Sequence, residues 1–214
     1  MEQTTPVTRE CDPFHCDQLV RCFNQCFLAS HNTRLVSGGE EPIYLPANSC
    51  GCGDSVCLER SSLCEDAVQG LKNETPEHHI IFRHDYFSSA LHEISHWCVA
   101  GEQRRKQVDY GYWYAPDGRS EEQQREFEQV EVRPQAVEWV LHVAVGKPFK
   151  VSVDNLEGDP GSNEHFKDAV FQQVKKFCHG DKFPPRGLIF AEALSRIYDT
   201  AGFFTIEKYS RGVL

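Results

Sequence analysis

His92 and His96 stand four apart in the run His92-Glu93-Ile94-Ser95-His96. On a helix of 3.6 residues per turn that spacing turns both imidazoles to one face, where they can bind one ion. Glu93 is rotated about 100° from His92, which suits contact with a metal-bound water better than a place on the same ligand stripe. Leu91, Ile94, Trp97 and Val99 surround the pair with apolar residues, and two buried histidines without partners would be costly. The motif predicts a divalent metal.

A third ligand has to come from another element, because no histidine follows His96 until His142. The candidates are carboxylates on a long helix whose apolar side is marked by Phe127, Val130, Pro134, Val137 and Leu141. Glu131 and Glu138 are seven apart and border that stripe, and Glu128 lies one turn before Glu131. A carboxylate that faces a core is expensive unless it is paired or metal-bound. Glu131 is the first choice, with Glu128 and Glu138 as alternatives. Two histidines and one carboxylate leave coordination positions open, which suits zinc hydrolysis or non-haem Fe(II) oxygen chemistry.

The elements that position these residues follow from pattern and punctuation. Asp12-Pro13 predicts a helix start, and Phe14, Leu19, Phe23, Cys26 and Phe27 continue at helical spacing. Thr33–Val36 and Ile43–Leu45 read as short strands around a Gly38-Gly39 turn, and His79–Phe82 as a buried strand. Asp85 is the expected cap of the metal-motif helix, which stops at Gly101. Ser120 with Gln123 gives a capping box for a helix to Val145, kinked or divided at Pro134. Phe149–Val153 reads as a strand, and 163–177 and 187–199 as helices. Short strands with segregated helices make an α+β fold, a small mixed sheet packed with helices in a single domain over 1–214.

The net charge of -10, from 22 Lys+Arg against 32 Asp+Glu, disfavours a general nucleic-acid or membrane-surface binder. Arg104, Arg105 and Lys106 form the one local basic patch beside the motif helix. The N-terminus is polar without the apolar core of a secretory signal, so residues 1–11 read as a flexible tail and the expected address is the cytoplasm. Eight of the ten cysteines precede position 65. Residues 48–77 read as a Cys-rich surface insertion; Cys50, Cys52, Cys57 and Cys64 lack standard zinc-knuckle spacing, so free thiols are preferred over a structural zinc.

Several segments together resemble the elongation factor P hydroxylase family. They are His92–Cys98, Tyr110-Gly111-Tyr112-Trp113-Tyr114 with Pro116–Arg119, Phe127–Ala136, Glu41–Pro46 and Asp154–Asp159. The likeness runs from about residue 17 to 201. It implies a fold like the YbeY-type metalloproteins, with the metal site on a central helix. It implies His92 and His96 as ligands, with a carboxylate from the Phe127–Pro134 motif. The implied activity is hydroxylation of the modified lysine of bacterial elongation factor P after β-lysylation, without stable nucleic-acid or membrane partners. Fe(II) and dioxygen are then expected, with zinc as the alternative metal. Tyr110, Tyr112, Trp113 and Tyr114 are candidates to line a slot for the lysine stem, with cation–π help, and Asp117, Asp109 or Glu93 to meet its ammonium groups. The rival is a zinc metallopeptidase or other metallohydrolase in which Glu93 is the general base.

Overall fold

Leu19, Cys22, Phe23 and Phe27 recur at three- and four-residue intervals, and all four are buried along α1 (Cys16–His31). The chain is described here from a computed structural model covering residues 14–49, 73–109, 121–152 and 163–214. The expected tail, the four cysteines of the insertion and the Asp12-Pro13 start lie outside the described residues. Asn32 takes a left-handed φ of 50° and turns the chain from α1 into β1 (Thr33–Gly39).

β2 (Ile43–Leu45) and β3 (His78–Arg83) complete a three-stranded mixed sheet in the order β1-β3-β2. β1 runs parallel to β3, with Leu35 opposite Ile80, and β2 runs antiparallel to it, with Tyr44 opposite Ile80. Leu35, Ile80 and Phe82 point inward at alternate positions, as a one-sided core requires. The Gly38-Gly39 turn expected from sequence is instead part of β1, at an irregularity in the register between Val36 and Gly39. Gly38 has a φ of +97°, and a Cβ on Gly39 would stand 2.7 Å from Ile81 Cγ2 and 2.9 Å from Glu41 O. The pair serves a bulge and a close strand approach, where only glycine fits.

α2 (Phe87–Val99) follows, carrying the histidine motif. Asp85 does not cap it: the N-cap is Tyr86, with no side-chain cap bond. Ala90, Leu91, Ile94, Trp97 and Cys98 face the core, which leaves His92, Glu93 and His96 on the opposite, partly open side. α3 (Glu121–Val145) runs through Pro134 as one helix, so of the kink or division expected there the division does not occur. α4 (Glu164–Cys178) and α5 (Pro185–Ile197) finish the helical layer. Residues 147–152 form no strand but an irregular strap beside α3.

α1 packs on β1, α2 on β3, and α3 touches α2, α4 and α5, so α3 is the hub of the helical side. The architecture is α+β with a small mixed sheet, as expected. No helix among the described residues is long and apolar enough to cross a membrane. Among them Cys16, Cys22, Cys26, Cys98 and Cys178 form no disulfide.

The far end of α2 is held by Arg186 of α5. Its Nη2 donates to the carbonyls of Trp97 (2.6 Å), Cys98 (3.1 Å) and Ala100 (2.7 Å), and its guanidinium lies 4.5 Å from the Trp97 ring. Carbonyls at a helix end lack intrahelical partners, and a cation there also complements the helix dipole. Arg186→Ala is expected to lower stability by about 1.5–3 kcal/mol, the scale of charged hydrogen bonds. Urea unfolding with an unchanged m-value checks it.

Candidate metal centre

The open side of α2 faces α3 across a cleft of about 460 Å³, within the range typical of small-ligand sites. Four side chains of α3 meet it or back it: Glu131, Gln135, Glu138 and His142. They lie at intervals of four, three and four residues, which is one stripe of a helix. All four are buried, an unusual concentration of polar groups inside a fold.

His92 Nε2 and His96 Nε2 face each other at 3.1 Å, and Glu131 Oε1 stands 3.3 Å from His96 Nε2. One donor atom from each of His92, His96 and Glu131 fits within a 4.8 Å cluster. An ion about 2.1 Å from each donor, in tetrahedral or octahedral arrangement, needs donors about 3.0–3.4 Å apart. The two closest separations match that figure, so the donor set fits a divalent metal with further positions open.

Glu138 takes a different place. Its Oε2 accepts from His92 Nδ1–H at 2.9 Å, on the side of the ring away from His96, and its Oε1 lies 3.6 Å from His142 Nε2. A carboxylate on the second nitrogen of a histidine fixes the tautomer and leaves the other nitrogen free for a metal. Glu128 is outside the cluster and accepts from Gln124 Nε2 at 3.1 Å. Glu93 borders the cleft, and also a smaller cavity of about 20 Å³ that Tyr44, Arg104 and Asp109 help to line. Asp109 pairs with Arg104, whose Nη2 donates to Oδ1 at 3.0 Å. Tyr110, Tyr112, Trp113, Tyr114 and Asp117 lie outside the described residues. Gln135 and His142 were not singled out from sequence. Their signal is the shared stripe with Glu131 and Glu138.

Burial opposes a charge on His92, yet the charge and hydrogen bond of Glu138, with Glu131 and Glu93, outweigh it and raise its pKa to about 10. Burial likewise works against an ionised Glu131, but His96 and His92 pull it down to about 2. Glu93 moves the other way: burial pushes it up, against the pull of His92 and His96. The raised His92 contributes stability fully below its ordinary 6.5 and loses it as pH climbs through about 10. The depressed Glu131 contributes above its ordinary 4.5 and loses it as pH falls through about 2. Metal-free protein is therefore expected to draw most on this pair between pH 4.5 and 6.5. Thermal melts across pH check it. Metal at His92 must displace a proton, so metal affinity is expected to weaken as pH falls.

The sequence model of the family described as elongation factor P hydroxylase matches residues 22–209, a span that includes every residue of this centre. The elongation factor P lysine hydroxylase of Haemophilus influenzae is 45% identical over 193 residues, covering 90% of this chain and 94% of that relative. By both matches, this chain belongs to the elongation factor P hydroxylase family.

Proposed function

We propose that this chain hydroxylates the β-lysylated lysine side chain of elongation factor P, using Fe(II) held by His92, His96 and Glu131 and dioxygen as co-substrate. The observation that carries the reading is the convergence of those three donors in an open cleft of a chain from this family. Iron in such a site supplies the activation of dioxygen that an unreactive carbon–hydrogen bond requires. In balance, one C–H becomes C–OH, the O–O bond breaks, and the second oxygen leaves as water with two electrons from an added reductant and two protons from solvent.

The chain's own residues do the rest. Glu138 holds His92 in the tautomer whose Nε2 faces the cleft. Glu41 and Glu93 are the lining carboxylates not engaged with the histidines, and they suit the ammonium groups of the substrate, with Arg83 and Lys150 also on the lining. Phe127 and Val151 supply apolar wall for the alkyl stem. The substrate is a cytoplasmic translation factor, so the protein is proposed to work there, without stable nucleic-acid or membrane partners.

The test is the intact mass of β-lysylated elongation factor P after incubation with the Fe(II)-loaded protein and reductant, in air and without oxygen. One added oxygen atom, in air only, is the expected result. Glu93→Gln keeps the shape of the side chain and removes its charge, and is expected to retain hydroxylation within about tenfold, short of the 10²–10⁴ that loss of a general base costs. No mass gain under several reductants would instead favour a metallohydrolase with Glu93 as base.

A further inference from the structure

Gln135 is fully buried, and a buried amide is costly unless its groups are bonded. Its Oε1 accepts from the Ser152 backbone N–H at 3.0 Å, and its Nε2 donates to the Ser152 carbonyl at 2.7 Å. The same Nε2 reaches Glu131 Oε2 at 3.4 Å. Only a carboxamide carries an acceptor and two donors at one side-chain end. Leucine offers neither, and glutamate offers no donor. The choice of Gln at this point of the stripe joins Glu131 to the strap 147–152.

The strap's other end is fastened to the same helix. His142 Nδ1–H donates to the Pro148 carbonyl at 2.8 Å, and Lys147 N–H donates to the His142 carbonyl at 2.9 Å. Phe149 stacks on Trp139 with centroids 5.4 Å apart. Between these anchors Lys150, Val151 and Ser152 form one wall of the cleft. The two residues that anchor the strap, Gln135 and His142, therefore also stand next to the two carboxylates of the centre.

We propose that Gln135 is a positioning residue that fastens this wall to the metal site, so that metal held through Glu131 firms the segment the substrate meets. The inference rests on the reading of His92, His96 and Glu131 as ligands. Glu131 Oε1 faces His96 and Oε2 faces Gln135. Holding the first oxygen at an ion fixes the second, then the amide, then Ser152. A ligand shifts such an equilibrium by as much as it prefers the fastened state.

The experiment uses the full chain and Zn(II) as a redox-inert probe. Zinc affinity is measured by chelator competition, and hydrogen exchange is followed at the Ser152 amide with and without zinc. His96→Ala removes the contribution of this site and so subtracts zinc bound at thiols elsewhere. In wild type, zinc at a hundred times its Kd is expected to slow Ser152 exchange by up to about a hundredfold, the mass-action limit for an opening that requires metal-free protein. Gln135→Leu, which keeps an apolar side chain in the buried position and removes every polar group, is expected to bind zinc roughly tenfold more weakly and to lose the zinc-dependent slowing at saturation. Wild-type exchange unchanged by saturating zinc overturns the proposal and leaves the ligand reading standing. Equal slowing in Gln135→Leu also overturns it. Zinc binding indistinguishable between wild type and His96→Ala removes the ligand reading, and this proposal with it. Where Gln135→Leu fails to fold, Gln135→Met, closer to glutamine in length and equally without donors, takes its place in the same comparison.

Discussion

Glu131→Gln is expected to give a folded protein that surrenders its metal to a chelator and no longer hydroxylates, whereas Glu138→Gln keeps both in reduced measure. The two carboxylates sit on one helix stripe and are both buried, yet their geometry differs. Glu131 Oε1 stands 3.3 Å from the ring nitrogen of His96 that faces His92, on the cluster side. Glu138 meets the opposite edge of His92. Losing an anionic ligand removes a bond to the ion itself. Losing an outer carboxylate relaxes the tautomer and basicity of one histidine, which typically costs about 10–100-fold in metal affinity or activity. Metal content after dialysis against a weak chelator, with product mass on the same samples, measures both. A reversed ranking would make Glu138 the ligand and Glu131 its support.

Trp97→Ala is expected to destabilise the protein by about 3–5 kcal/mol, the cost of emptying a buried large aromatic site. Trp97 is 4% exposed, with Phe27 at 4.9 Å and Phe23 at 5.3 Å between ring centroids and the Arg186 guanidinium over its face. The indole thus joins α1, α2 and α5 at one point. Domains are commonly stable by only about 5–15 kcal/mol, so this single change removes a large share. For a chain of this size it corresponds to a drop of roughly 6–20 °C in melting temperature, readable by circular dichroism. His96 directly precedes Trp97, so the void also loosens the helix turn that aims the metal pair.

Much of this centre was legible from residue types alone because helices obey a short period. The four-residue spacing of His92 and His96 and the seven-residue spacing of Glu131 and Glu138 were visible as faces before any packing was known. The same period carried α3 to its observed end at Val145. The different placement of the two carboxylates was not legible, since it depends on which edge of an imidazole each one meets. Gln135 and His142 escaped notice because polar residues on a helix are usually solvated, and only the packing of α3 at the hub turns them inward. Asp85 had the right chemistry for a cap and lost the position to Tyr86, one residue on. Phe149–Val153 has strand composition, but Ser152, in its described part, bonds a glutamine side chain rather than a sheet edge. The bulge at Gly38 and Gly39 looked like a turn because both need the same conformational freedom.

The facing of α2 against α3 brings together donors that are 35 positions apart in sequence, at His96 and Glu131. An ion shared by the two helices is, in polymer terms, a removable cross-link that closes the intervening chain into a ring. The entropy of closing such a ring grows only with the logarithm of its length, about 0.6 kcal/mol for each doubling. A change in the length of the connection between the two helices therefore alters the closure entropy of the centre by well under about 1 kcal/mol.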